Sequence, residues 1–230
     1  MSAVVPRVIQ QIWVGPPMPD HLKRYAKAWE EINPGWEYRL WGESDLQWLT
    51  HQDLFDDWET HAPRNRGQWQ ANIARLENLA REGGVYADLD LEPLKPIDPL
   101  MAKLRTAGFL TWQRERGHVK GPLITNAFMG GAPSHPVIVA LLDGLRRNVK
   151  RAEGMRCTHT SGVRYITKHL LQRNPRLARQ IDILPAKVAV PYLPDELAGI
   201  DPDTYEPPTS AYAAHHWENQ RSGGHTGKLR

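Results

Sequence analysis

The segment Gly83-Gly84-Val85-Tyr86-Ala87-Asp88-Leu89-Asp90-Leu91-Glu92 alternates apolar residues with an aromatic ring and three acids. Read as a strand, it puts Val85, Ala87, Leu89 and Leu91 on one face and Tyr86, Asp88, Asp90 and Glu92 on the other. Like charges in a row repel, so a fold that keeps them usually supplies a cation. On a strand the carboxylates of Asp88 and Asp90 stand roughly 7 Å apart, close enough to share a hydrated divalent ion that still has room for substrate phosphates. The chemistry this points to acts on a nucleotide diphosphate.

An Asp-x-Asp is weak evidence by itself, since about one is expected by chance in a chain of this length and ordinary composition. A second, Asp201-Pro202-Asp203, sits in a proline-rich loop and reads as turn chemistry. What separates Asp88 and Asp90 is their frame. A helix over about Gly67–Arg81, with a packing stripe of Trp69, Ile73, Leu76 and Leu79, ends at Gly83-Gly84. Asn72 and Arg75 are three apart on that helix and share a face directed toward the acidic strand. An arginine there can pair with Asp88 or bind phosphate.

The elements that must position these residues follow from periodicity and turn residues. Val4–Val14 reads as a first strand, stopped by Gly15-Pro16-Pro17, and Asp20 caps a helix to Ile32. Trp36–Trp41 reads as a second strand and Ser44–Leu49 as a short helix, with 51–66 irregular. Beyond the acidic strand, Ala107–Trp112 and Asn126–Met129 read as strands. Pro136–Lys150 and Ser161–Gln172 read as helices, and 181–212 as short strands and loops. This order predicts an α/β fold with a mainly parallel central sheet flanked by helices. Ligands of such sheets bind beyond the carboxyl ends of the strands.

The chain has 230 residues, 40% hydrophobic and 24% charged, which suits one large globular domain. No apolar run approaches the roughly 18 residues of a membrane span, and the N-terminus lacks the pattern of a signal peptide. The lone Cys157 excludes an intrachain disulfide and fits a reducing, cytoplasmic setting. Net charge is +3 with pI near 9.0. The basic residues form only small clusters, at Arg64/Arg66, Arg114/Arg116/Lys120 and Arg146/Arg147/Lys150/Arg151. That argues against a nucleic-acid partner and for a mildly basic cleft holding a small anion. The nine tryptophans supply planar faces for core packing or for stacking on sugars and bases.

Several blocks together resemble family 32 glycosyltransferases, which include Golgi initiating mannosyltransferases, bacterial capsule enzymes and the glucosyltransferase domains of large clostridial toxins. The stretch Ala71-Asn72-Ile73-Ala74-Arg75 followed by Gly83-Gly84-Val85-Tyr86-Ala87-Asp88-Leu89-Asp90 resembles their sugar-binding region. Pro6 through Gly15 resembles their first strand; Asn33-Pro34-Gly35-Trp36, Asn126-Ala127-Phe128 and His135-Pro136 resemble later blocks. His215-His216-Trp217 resembles their C-terminal histidine motif. The chain departs from the pattern where Ala71-Asn72 replaces Ser-Asp, where Gln10 replaces a histidine, and where the Ser-Trp after the histidines is missing.

The resemblance implies a GT-A-like domain over 1–217, with nucleotide-sugar binding at about 4–135, an acceptor side at about 136–217 and a flexible tail at 218–230. It implies a UDP- or GDP-linked sugar donor, Mn²⁺ or Mg²⁺, and transfer with retention to a hydroxyl of a glycan, lipid-linked or protein acceptor. Residue by residue, Trp13 and Val14 would meet the nucleotide base, and Arg75 and Asp88 the donor sugar and ribose. Tyr86 would line the donor pocket, Asp90 with Asp88 would hold the metal, and His215 or His216 would reach the metal or diphosphate. Asn72 would hydrogen-bond a sugar hydroxyl without bringing charge. Without a membrane anchor, a bacterial or phage cytoplasmic source is expected over a Golgi one. Two other readings stay open on the residues alone: a metal-dependent phosphohydrolase or nucleotidyltransferase using the same acids, and a non-catalytic sugar- or nucleic-acid-binding module.

Overall fold

A computed structural model describes residues 4–113, 123–192, 196 and 206–217. The chain opens with β1 (Val8–Ile12), α1 (Asp20–Ile32) and β2 (Glu37–Trp41). It continues through α2 (Gln52–Asp56), α3 (Trp58–His61), α4 (Arg66–Glu82), β3 (Gly84–Ala87), β4 (Leu91–Pro93) and α5 (Asp98–Met101). Next come β5 (Gly108–Gln113), β6 (Leu123–Gly131), α6 (Pro136–Arg151), α7 (Cys157–Thr160) and α8 (Val163–Thr167). Last are β7 (Asp182–Leu184) and β8 (Ala213–His215).

Six strands form one sheet in the order β2-β1-β3-β6-β5-β7. The pairings β1 with β2, β1 with β3 and β5 with β7 are parallel; β6 runs antiparallel to both of its neighbours. Helices cover one face, where Trp69, Ile73 and Leu76 of α4 pack with Val137, Ile138 and Leu141 of α6. The other face holds Trp29 of α1 and the late segments Val188–Val190 and Tyr212-Ala213, packed on Val85, Phe109 and Phe128. The result is a helix-sheet-helix layering. Trp29 and Trp69 are completely buried, and each indole donates to a backbone carbonyl, of Leu91 and Leu54 respectively (both 2.7 Å). Each such burial contributes about 4–6 kcal/mol of apolar transfer before entropy is charged against it.

The helix preceding the acidic segment is buried nearly all round, from Trp69 through Leu79. Its polar residues are therefore paired inside the protein. Glu77, for example, accepts from the backbone N–H of His51 (2.9 Å) and faces the His51 ring (2.7 Å). Burial pulls the Glu77 carboxyl up, but the His51 contacts overcome it and hold it below its ordinary value.

Gly83 and Gly84 explain themselves by space and dihedral. Both have positive φ, +68° and +95°. A Cβ on Gly84 would lie 2.5 Å from the carbonyl oxygen of Val8 on the neighbouring strand, and one on Gly83 2.7 Å from that of Gly131. The helix can stop and enter the sheet in two residues only because neither carries a side chain. Gly84→Ala is expected to destabilise the fold by about 3 kcal/mol through dihedral strain and backbone collision. Chemical denaturation reads the loss directly.

Three expectations need correction. The acidic segment is not one strand: β3 ends at Ala87, and the N–H of Leu91 bonds back to the carbonyl of Asp88 (3.0 Å), turning the chain into β4. The alternation of apolar residues survives because both pieces are buried, so period two does not report the bend. Residues 51–66 contain α2 and α3. The Ser44–Leu49 helix is only a 3₁₀ turn at Glu43–Asp45, where the Asp45 carboxylate accepts the Gly42 N–H (2.8 Å). The expected Ser161–Gln172 helix is present as one continuous helical run, α8 passing directly into a wider helical turn at 168–173, with the short α7 ahead of it. Asp201 and Asp203, the cluster Arg114/Arg116/Lys120 and the tail 218–230 lie outside the described residues.

Candidate active site

The site forms at the carboxyl ends of the parallel strands β1 and β3, joined by a second small sheet. β1 and β3 pair Ile9 with Val85 and Gln10 with Tyr86, so the loop after β1 runs alongside the turn carrying Asp88 and Asp90. Gln11, fully buried in β1, donates from Nε2 to the Asp88 carbonyl (3.1 Å), and Tyr38 of β2 donates to its Oε1 (2.7 Å). The neighbouring Gln10 donates to the Gly83 carbonyl (2.6 Å) and accepts from the Trp41 indole (2.9 Å). Two amides on an otherwise apolar strand thus pin both ends of the Gly83–Asp88 segment.

Asp88 is held from three sides. Nη1 of Arg75 lies 2.9 Å from its Oδ1, and the Tyr86 hydroxyl donates to the same oxygen (2.8 Å). Arg75 is fixed by the carbonyls of Asn126 (2.6 Å) and Ala71 (2.9 Å), with its guanidinium 4.4 Å above the Tyr86 ring. Burial pulls the Asp88 carboxyl up, yet Arg75, then His215 and Tyr86, hold it below the ordinary value. Burial pushes the Tyr86 phenol well above its usual range. Tyr86 is 1% exposed. It therefore stands behind Asp88 and not on an open donor wall, because residues on β3 are covered on both faces.

The C-terminal histidines are sorted by strand geometry. β8 pairs antiparallel with β4, Leu91 opposite His215, and the His216 N–H bonds to the Asp90 carbonyl (2.9 Å). Adjacent strand residues face opposite sides. His215 turns to the acids, with Nε2 3.4 Å from Asp90 Oδ1 and 3.8 Å from Asp88 Oδ2. His216 turns away, stacks on Tyr25 (4.8 Å between ring centres) and meets Glu92 Oε2 at 2.8 Å. So the structure brings His215 to the acid pair and takes both His216 and Glu92 elsewhere. Asp88, Asp90 and His215 each offer a ligand atom, all within 4.8 Å of one another.

Asn72 is 2% exposed and joins a polar chain that sequence reasoning did not assemble. Asn126 donates to Asn72 Oδ1 (2.8 Å), and Asn72 Nδ2 donates to Ser161 Oγ (3.1 Å). Ser161 comes from the link between α7 and α8, 89 residues away, and no local signal marks it. Gln11 was also missed; its signal was a polar residue between Ile9 and Ile12 of a buried strand. Trp13 stands partly exposed just past β1, its indole N–H bonded to the Pro16 carbonyl (2.6 Å), and Val14 is buried. Arg66 is engaged by Glu43 and lies over the Trp58 ring at 5.0 Å.

This combination, a mixed sheet whose parallel strands end at an Asp-x-Asp turn with an arginine helix beside it, is the GT-A fold shared with the solved structures it resembles. Residues 19–107 match the glycosyltransferase sugar-binding region containing the DXD motif. Among curated proteins the chain is similar to inositol phosphoceramide mannosyltransferase 3 of Schizosaccharomyces pombe, 28% identical over 64% of this chain and 38% of that one. It is also similar to a mannosyl phosphorylinositol ceramide synthase of Saccharomyces cerevisiae, 26% identical over 62% of this chain and 35% of that one. The chain thus spans well under half the length of these relatives. Among solved structures it shares its fold with the PaToxG glycosyltransferase (TM-score 0.59, 19% identity, 76% of this chain and 73% of that one). The UDP-bound glycosyltransferase domain of the YGT toxin is a further neighbour (TM-score 0.51, 10% identity, 79% and 80%). Among the described residues, no helix is long and apolar enough to cross a membrane.

Proposed function

We propose that the protein is a metal-dependent retaining glycosyltransferase that moves a hexose from a nucleotide-diphosphate sugar to a hydroxyl acceptor. The convergence of Asp88, Asp90 and His215 within 4.8 Å, at the strand ends beside the matched sugar-binding region, carries this reading. Two carboxylates and an imidazole fit Mn²⁺ better than Mg²⁺, which prefers an all-oxygen shell. Asp90 and His215 would hold the ion with Asp88 at their side. When bound, it supplies Lewis acidity toward the departing diphosphate. The chain's own part is positional. Arg75 fixes Asp88 and adds positive charge beside the reacting centre, Gln11 fixes the turn, and the buried Asn72–Asn126–Ser161 chain braces Arg75 through the Asn126 carbonyl. Trp13, with Val14 behind it, offers a stacking face for the base. No side chain is needed as nucleophile if the acceptor attacks on the face of the departing phosphate and that phosphate takes its proton.

The mannosyltransferase names of the yeast relatives support a hexose donor and, for the acceptor, a lipid-linked hydroxyl over a glycan or protein. The UDP-bound neighbour supports UDP, while GDP remains the alternative nucleotide. The acceptor side would be built by 136–217. A reducing, cytoplasmic setting rests on the lone buried Cys157; the curated relatives are yeast proteins and lend nothing to a bacterial or phage source. A phosphohydrolase would need a third acid beside the pair, and Glu92 is committed to His216. The test is hydrolysis and thermal stabilisation with UDP- and GDP-hexoses in Mn²⁺. Turnover that follows the sugar supports transfer; no binding to any donor, or phosphate release from free nucleotides, overturns it.

Asn72 sets a narrower expectation. Asn72→Asp keeps both partners, since Asn126 still donates to a carboxylate and the Ser161 hydroxyl can reverse, with Arg75 one turn away to offset the charge. It is expected to fold and to change donor preference or turnover about tenfold through Arg75, whose cation the new carboxylate would share with Asp88. Asn72→Leu strands Asn126 and Ser161 and is expected to cost about 2 kcal/mol. Donor competition assays and thermal melts separate the two effects.

A further inference from the structure

Away from the acid cluster, a cavity of about 260 Å³ opens between α6 and the helical turn 168–173. Gly144, Arg147, Arg151, His169, Arg173 and Asn174 line it, with no carboxylate among them. Arg147 and Arg151 lie one turn apart on α6 and share a face. His169 and Arg173 repeat that spacing on the opposite wall. Among the described residues none of the three guanidinium groups is paired with an acid. Arg173 only donates to Asn148 Oδ1 at 3.3 Å, whereas the adjacent Arg146 is bridged to Asp53 on both nitrogens.

Surface arginines at a helix end have a simpler explanation, because the last turn favours cations. That accounts for Arg151. It does not account for Arg147, a turn earlier, or for Arg173 on another element. Nor does it account for His169, which is 8% exposed and whose ring nitrogens bond to no described residue. The ring sits there because position 144 lacks a side chain: a Cβ on Gly144 would lie 2.6 Å from His169 Cε1 and 2.7 Å from the Tyr165 hydroxyl. Burial, then Arg173 and Arg147, lowers the His169 pKa, which shows the positive field converging on the ring.

We propose that this cavity binds a phosphate-type oxyanion, with Arg147, Arg151 and Arg173 as its charged donors and His169 as a buried one. Planar guanidinium forks match the oxygen spacing of a phosphoryl group, and hydrogen bonds between a charged donor and a charged acceptor are the strong ones. The volume is below the roughly 300 Å³ at which pockets for drug-sized ligands begin. It suits a phosphoryl group and the first atoms of its carrier, and not a whole nucleotide sugar. The cavity shares no residue with the Asp88–Asp90–His215 cluster, so binding here stands or falls separately from the donor reading.

The experiment is equilibrium dialysis of radiolabelled inorganic phosphate against the full chain, with EDTA present and ionic strength held constant by chloride. Saturable binding at one site is expected. Arg147→Ala and Arg173→Ala should each weaken it about tenfold, the loss of one charge-assisted contact. Arg24→Ala, which removes the same charge from the exposed side of α1, should leave it unchanged. All three arginines are at the surface or half-buried, and thermal melts verify folding. Non-saturable uptake, or equal affinity in the Arg147→Ala/Arg173→Ala double variant, overturns the site. Sedimentation with phosphatidic acid vesicles against phosphatidylcholine vesicles separates the sources. Arginine-dependent pelleting identifies a lipid headgroup, and phosphate binding without pelleting identifies a soluble phosphoryl compound.

Discussion

Asp90→Asn is expected to lower metal-dependent turnover of the nucleotide sugar by about 10²–10³-fold or more, the scale seen when one preorganised electrostatic contact to a developing charge is removed. The fold should survive. The backbone carbonyl of Asp90 still accepts the His216 N–H at 2.9 Å, and the amide has the shape of the carboxylate it replaces. Removing one of two neighbouring like charges also relieves repulsion, so the metal-free melting temperature is expected to hold or rise. What should vanish is stabilisation by Mn²⁺, since a ligand that binds only the folded state raises its stability in proportion to its affinity. Glu92→Gln is the matched control. It removes the third acid of the same sequence row, yet its contact is to His216, on the far side of β4 from the cluster. Turnover and Mn²⁺ stabilisation in Glu92→Gln should stay close to the unmodified protein. Equal Mn²⁺ stabilisation of Asp90→Asn and the unmodified chain would remove Asp90 from the metal site.

The contrast between Glu92 and Asp90 also shows what the sequence could and could not say. Where a feature is local, it was legible. The amphipathic stripe of Leu22, Ala26 and Trp29 marks α1, which ends at Ile32 as expected; Asp20 is its first residue and Pro19, not Asp20, holds the cap position. The Gly83-Gly84 stop is legible because a helix that must turn into a strand within two residues needs positive φ. Arg75 and Asn72 share a face of α4 as their spacing implies, Arg75 meeting Asp88 and Asn72 meeting Ser161 and Asn126. Where a feature depends on pairing across the chain, it was not. Two adjacent histidines must face opposite ways on a strand, but which one meets the acids is decided by the register of Leu91 against His215. Period two placed Asp88, Asp90 and Glu92 in one row, whereas the turn at 88–91 separates the last of them. Ser161 and Gln11 enter through contacts 89 and 77 residues long, which no window of the sequence contains.

Those long contacts end on Asn72 and Asp88, the neighbour and the partner of Arg75, and removal of Arg75 is the second large expected effect. Arg75→Met keeps the length and apolar stem of the side chain but takes the cation from beside Asp88, whose side chain is 24% exposed. It also leaves the Asn126 carbonyl without its 2.6 Å donor. Breaking a buried pair from one side strands the other charge, at a cost of about 3 kcal/mol at neutral pH. The pH dependence carries the sign. In the native protein Asp88 is held below its ordinary value, so its contribution is present at neutral pH and is lost as pH falls through that lowered value. Without Arg75 the largest remaining influence is burial, which favours the protonated acid. The variant should therefore be relieved by acid while the native protein is weakened. The stability gap between them, read by chemical denaturation, is expected to be widest near pH 7, to narrow as pH falls, and to close only below the ordinary carboxylate range, where native Asp88 itself takes up a proton. Arg75→Lys should fall between the two, because an ammonium restores the charge but cannot reach Asp88 and the Ala71 and Asn126 carbonyls together. A gap that stays constant with pH would mean that Arg75 acts by packing on Tyr86 and not through Asp88.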